Sequence, residues 1–157
     1  FVYAEHFIEH LTFPDAIAFL RSAHGALAAR GRIRLSTPSL EWVWATHDPN
    51  AETPAEVLRR TFVANRAFYG WQHRFVWTRD LLAEAVEACG SREPRFFGYG
   101  ESETPELRGL EQHDTYEERP DLPHVLVVEA GKGERDPARL ERLLAVARES
   151  FLDHLRG

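Results

Sequence analysis

The sequence predicts an α/β fold, and three features of it do so. A strand, a helix and a second strand follow one another with short connections over residues 1–37, which is a βαβ unit with a parallel pair. Val125 to Val128 reads as a strongly buried strand, flanked by His124 and Glu129. A last amphipathic helix follows, with Leu140, Leu143, Leu144, Ala147, Phe151 and Leu155 on one stripe.

The elements follow in order. Phe1 to Ala4 is an apolar run of strand type. Thr12 is placed to cap a helix, with Pro14 in its first turn and Asp15 at N3. Phe13, Ile17, Leu20, His24 and Leu27 share one face, His24 as a satisfied core histidine, and Gly31 sits where a glycine would end the helix. Ile33 and Leu35 alternate with polar residues over 32–37, and Pro38 stops that strand. Leu40 to Trp44 is aromatic-rich, and His47 to Glu52 is polar and turn-like. Thr53-Pro54-Ala55-Glu56 is a capping box opening a helix with Val57, Leu58, Phe62, Phe68 and Tyr69, which stops at Gly70. Thr78 caps the next helix, whose apolar face is Leu81, Leu82, Ala85, Val86 and Cys89, and Gly90 ends it. Arg95 to Tyr99 is strand-like. Gly100 to Leu122 is a long acidic loop, in which Leu107 and Leu110 mark one helical turn. Gly131 to Glu134 reads as a linker to the last helix, which starts at Asp136-Pro137.

Bulk properties narrow the class. At 157 residues the chain suits one domain. Its 19 Lys and Arg against 25 Asp and Glu give −6, which argues against nucleic acid or an anionic membrane as partner. No apolar run reaches the roughly 20 residues of a membrane span. The single cysteine, Cys89, excludes an internal disulfide and suits a reducing compartment, so a cytoplasmic protein is expected. The chain opens on an apolar strand with neither an initiator Met nor a signal-peptide pattern. It is expected to be the back part of a longer protein.

With these elements in place, the runs VYAEHFIEHL and AIAFLRSAHGALAARGRIRLSTPSL resemble the second half of a class I S-adenosylmethionine (SAM)-dependent methyltransferase of the predicted bacterial type. In that family strand four ends in a Leu-Glu-His-Leu step. A helix and a glycine turn follow, then strand five. QHRFVWTRDLLAEAVEACG resembles the segment ahead of strand six, and HVLVVEA resembles the last, antiparallel strand. The resemblance implies a partial Rossmann-like sheet of strands four to seven, with flanking helices and a helical lid insert at about 39–77. It covers residues 1–131, with 132–157 as an added amphipathic helix. Two family features are replaced: Pro-Gly-Gly before strand five is Ala29-Arg30-Gly31, and the Phe after the second glycine is Ser91. The family's glycine-rich turn, ribose-binding acid and adenine segment belong to the first half, so no residue here is assigned to adenosine.

The resemblance implies SAM as cofactor, with Ala4, Glu5 and His6 at the strand end that touches its methionine part. Methyl transfer asks for alignment and exclusion of water, plus a base when the acceptor is a hydroxyl. His73 is the candidate for base or acceptor binding, and Trp42, Trp44, Tyr69 and Trp71 are candidates to shape a pocket for a small-molecule or sugar acceptor. The plainer roles are a packing histidine, and aromatics that pack the helix onto the sheet. Glu101, Ser102 and Glu103 either close the site or belong to a solvated loop. His10 is expected to bond backbone at the helix entry. His113, His124 and His154 have no spacing partner that suggests a metal, and none is expected.

Two other readings compete. His6-Phe7-Ile8-Glu9-His10 matches the H-x-x-E-H pattern of zinc peptidases, with Glu84 or Glu87 as a third ligand. Against it, the strand runs up to Ala4 and a fresh cap stands at Thr12. The other reading is a non-catalytic half-domain that pairs with a missing N-terminal half or forms a homodimer, its final helix covering the first strand, packing on the sheet or making the contact.

Overall fold

In the computed structural model the residues described are 1–46, 53–113 and 121–156. The expected turn over His47 to Glu52 and part of the long acidic loop lie outside them. The fold is mixed α/β, a four-stranded sheet with flanking helices, as the sequence predicts. Strand β1 (Val2–Glu5) lies parallel to β2 (Arg32–Pro38), with Val2 opposite Ile33. The crossover between them is helix α1 (Phe13–Ala26). The last strand, β4 (Val125–Lys132), runs antiparallel to both β2 and β3 (Ser91–Phe97), giving the order β1-β2-β4-β3. The two central strands are the two with near-continuous burial, because both of their faces are covered.

One face of the sheet is apolar. Ile33, Leu35, Leu126, Val128 and Ala130 pack against Ile17 and Leu20 of α1 and against Leu82 and Val86 of α4 (Arg79–Ala88). Thr12 caps α1, its hydroxyl accepting the Asp15 N–H at 3.3 Å, and Thr78 caps α4 in the same way. The His24 ring bonds the Gly133 carbonyl at 3.0 Å, a satisfied core histidine. The Cys89 thiol is buried, and burial pushes its pKa up to about 11.

The opposite face carries a buried charge network. Arg34 on β2 is fully buried. It donates to Glu129 of β4 at 2.5 Å and to both oxygens of Glu111 at 2.7 and 2.8 Å. It also donates to the Glu101 carbonyl at 2.9 Å. A sheet face of this polarity has to be closed by ion pairs and hydrogen bonds, and the segment 98–113 supplies Glu111 and the Glu101 carbonyl to it. That segment therefore is more than the solvated loop its composition suggests.

Between β2 and α4 the chain makes an excursion. Ser39 and Trp77 form a parallel bridge, and the Leu40 N–H donates to the Trp77 carbonyl at 2.9 Å. Residues 40–76 thus leave and rejoin the sheet at one place. They hold α2 (Leu40–Thr46), α3 (Pro54–Asn65) and a π-helical turn, Arg66–Gly70. The capping box of α3 forms as read, Thr53 accepting the Glu56 N–H and Glu56 accepting the Thr53 N–H. Its apolar residues do not pack it onto the sheet: α3 buries none of its residues, and Phe62 is 73% exposed. Trp77, by contrast, is fully buried in the core.

Other boundaries depart from the sequence reading for local reasons. Helix α1 ends at Ala26, so Gly31 lies in the following turn, its N–H on the Ala28 carbonyl. Strand β3 starts at Ser91, directly after the turn at Gly90 (φ 107°), and carries a bulge at Glu93 (φ 52°) ahead of Pro94; an edge strand tolerates both. Gly131 and Lys132 are the end of β4 rather than a linker, Gly131 pairing with Arg32 and Arg92. The final helix, α5 (Pro137–Ala147), lies against α4, where Arg139 bonds Glu84 at 2.9 Å and Glu87 at 2.6 Å. After Ala147 the winding changes to π and then 3-10 turns. The stripe is therefore broken: Leu143 is buried, whereas Leu155 is 65% exposed.

Replacing Arg34 by Met leaves Glu111 buried without its cation and Glu129 with Arg32 alone at 3.6 Å, and the expected loss is about 3–5 kcal/mol. Urea unfolding of the variant measures it.

Candidate functional site

A cavity of about 530 Å³ opens beyond the carboxyl ends of β1 and β2. Glu9 and five histidines, His6, His10, His73, His113 and His124, line it, together with Ser39, Trp42 and Trp71. Among its described lining residues there is no Lys or Arg.

Glu9 assembles this site. It lies in a 3-10 turn, Ile8–His10, between β1 and α1, and is fully buried. One carboxylate oxygen accepts from His6 Nδ1 at 3.0 Å, and the other accepts from the Thr37 hydroxyl at 3.1 Å. The Glu9 carbonyl accepts the N–H groups of Arg74 and Phe75 at 2.7 and 3.1 Å. One residue thereby ties together the turn after β1, the end of β2 and the returning segment that carries His73. His6 adopts φ 45°, and its N–H donates to the Ser36 carbonyl at 3.0 Å. A left-handed backbone costs a non-glycine residue about 1–2 kcal/mol, offset here by those two bonds.

The other rings are held in turn. His73 Nδ1 lies 2.5 Å from the Ala67 carbonyl. A carbonyl only accepts, so Nδ1 carries a proton, and in the neutral ring the lone pair is on Nε2. The His73 ring stacks on Trp71 and meets His10 edge-on, centroids 5.9 and 5.1 Å apart. One ligand atom each from Glu9, His10 and His73 lie within 4.8 Å of one another. His113 stands 4.7 Å from His6, and His124 stands 4.4 Å from Trp42. Burial lowers the His124 pKa, with His6 and Arg66 adding to the effect, which keeps that ring neutral.

Beside the cavity Glu5 fastens the segment 99–113. Its carboxylate accepts from the Tyr3 and Tyr99 hydroxyls, each at 3.0 Å, and from the N–H groups of Gln112 and His113 at 2.9 and 3.1 Å. Its burial works to raise the pKa. The bonds from His113, Gln112 and Tyr3 outweigh that and hold it at about 2, against an ordinary 4.5. Tyr3 and Tyr99 shift up, through burial first and then through Glu5.

No protein-family model matches the chain. No curated protein matches its sequence either. Among solved structures it is similar to a possible exported protein from Bordetella parapertussis, with a TM-score of 0.51 and 14% identity. The match covers 83% of this chain and 38% of that one. The chain thus spans well under half the length of that neighbour, and a likeness at this identity is one of fold alone.

The cavity gathers His6, His73, Trp42 and Trp71 from the sequence-predicted residues. Trp44 and Tyr69 are 61% and 75% exposed and do not line it. Ala4 packs toward the core, and Glu5 on the other face of β1 is engaged with the loop. His10 faces the cavity instead of bonding backbone, and Glu9, His113 and His124 join it there. In the step after the first strand the sequence singles out Glu5 and His6, and Glu9 enters only through the H-x-x-E-H string. His113 had no sequence signal, since it arrives from a loop without periodicity. The H-x-x-E-H string does not lie along one helix: His6 is in a left-handed turn, Glu9 and His10 are in a 3-10 turn, and α1 begins later. Glu84 and Glu87 are engaged by Arg139.

The Glu5 contribution to stability is complete above pH 4.5 and is lost as pH falls toward 2, because there the unfolded chain binds the proton more readily. Glu5→Gln removes this titration. The variant is expected to be less stable at neutral pH and to lose less stability than the parent across that window, as read from urea midpoints.

Proposed function

We propose that this chain is the C-terminal half of a class I SAM-dependent methyltransferase, and that the cavity over β1 and β2 receives the methyl acceptor. The observation that carries the reading is the sheet. Strands β1 and β2 are parallel, only the last strand in sequence is reversed against its neighbours, and the cavity lies at the carboxyl ends of the parallel pair. Ligands collect at that edge in open α/β sheets. The Rossmann-like assignment and the cytoplasmic location, for which the free Cys89 speaks, belong to the same proposal.

The residues present suit a cationic donor. Glu9 is the carboxylate of the described lining, and Trp42 and Trp71 add aromatic rings that can face a positive charge. SAM, when bound, supplies a methyl group that is already activated. The chain's own part is to orient the acceptor and keep water out. A cavity of about 530 Å³ has the size for a small molecule or a sugar unit. The Ala67 carbonyl fixes the His73 tautomer so that Nε2 offers its lone pair to an acceptor hydroxyl.

Calorimetric titration of the full-length protein with S-adenosylhomocysteine is expected to show saturable binding, and its absence sinks the reading. His73→Gln is expected to slow transfer to a hydroxyl acceptor by about 10²–10⁴-fold.

A further inference from the structure

We infer that Glu9, His10 and His73 form a binding site for one divalent transition-metal ion of the zinc or cobalt class. The inference does not rest on the methyltransferase reading, since it uses only the geometry of these side chains.

Their ligand atoms already converge within 4.8 Å. Ligands bonded to one ion at about 2.0–2.2 Å stand no more than about 4.4 Å apart, so side-chain adjustments of under about 1 Å close the set. Two imidazoles and one carboxylate suit zinc, cobalt or iron; magnesium and calcium take oxygen ligands. Three protein ligands also leave positions open, and here they open onto the cavity.

The surroundings are those a metal site needs. A ligating histidine presents one ring nitrogen while the other donates to a carbonyl or carboxylate. His73 does this through Nδ1 to the Ala67 carbonyl at 2.5 Å. Glu9 is oriented from behind by His6 and Thr37, at 3.0 and 3.1 Å. Its carboxylate is fully buried, in a cavity whose described lining holds no Lys or Arg. A buried carboxylate is stabilised by hydrogen bonds and by a cation; His6 and Thr37 supply the bonds, and an ion between Glu9 and the two histidines would supply the cation. The three residues come from two distant stretches of chain, brought together by the Glu9 carbonyl bonding Arg74 and Phe75.

A bound ion would take the His73 lone pair and act as a Lewis acid on an oxygen ligand in the cavity, lowering its pKa.

The test is a titration of chelator-treated, full-length protein with Co²⁺, followed by its visible d–d bands, and with Zn²⁺, followed by thermal melting. One equivalent of Co²⁺ with bands of a four- or five-coordinate ion is expected, and Zn²⁺ is expected to raise the melting temperature with concentration. His10→Gln and His73→Gln are each expected to weaken Co²⁺ binding at least about tenfold, whereas His113→Gln, in the same cavity but outside the triad, retains it. Proton NMR of the parent protein with Co²⁺ is expected to show two paramagnetically shifted imidazoles, a readout that needs no variant to fold. Absence of a one-to-one Co²⁺ complex, equal loss in all three variants, or no shifted imidazole overturns the inference. Binding of S-adenosylhomocysteine is read separately, so failure of one proposal is distinguishable from failure of the other.

Discussion

The cavity depends on one buried carboxylate. Glu9 is fully buried, and its oxygens are satisfied by His6 and Thr37, while its own carbonyl captures Arg74 and Phe75. Four hydrogen bonds from one residue thus join three stretches of chain. Without them the segment after the π-helical turn has no reason to approach the end of β1, and His73 has no reason to meet His10. Buried polar groups that are fully satisfied tend to fix one arrangement, and here the arrangement fixed is the site itself.

A second set of polar contacts closes the other side of the sheet. Arg34 stands between Glu129 and Glu111, and Glu5 collects two tyrosine hydroxyls and two backbone N–H groups. Both centres bind the segment 98–113, which has little regular structure of its own. It brings His113 to the cavity rim and buries Leu107. The excursion over 40–76 is held differently. It is stitched at Ser39 and Trp77, and α3 relies on its capping box rather than on buried side chains. A helix with Val57, Leu58 and Phe62 exposed and no buried residue has little tertiary support.

The elements whose signals are local were legible. Thr12, Thr53, Thr78 and Asp136 each cap the helix they were expected to cap, because capping involves only the next three residues. The parallel β1–β2 pair followed from the short strand–helix–strand spacing. The run Val125–Val128 announced a buried strand by its apolarity. Less legible were Gly131 and Lys132, which look like a linker until Arg32 and Arg92 pair with Gly131 from either side. The final stripe through Phe151 and Leu155 assumed a continuous α-helix, and the change of winding after Ala147 ended that period.

The same division runs through the site. The chain order placed a histidine-rich step after the first strand and His73 near a return to the sheet, so two of the lining histidines were in view from local pattern and order. Only the folded chain brought Glu9, His10 and His73 into one cluster and separated Glu5 and Ala4 from the cavity. Local pattern governs caps, periodicity and the parallel pair because these are interactions among near neighbours. Which side chains share a cavity depends on backbone bonds between residues more than 60 positions apart, such as Glu9 to Arg74, and no spacing rule in the sequence carries that information.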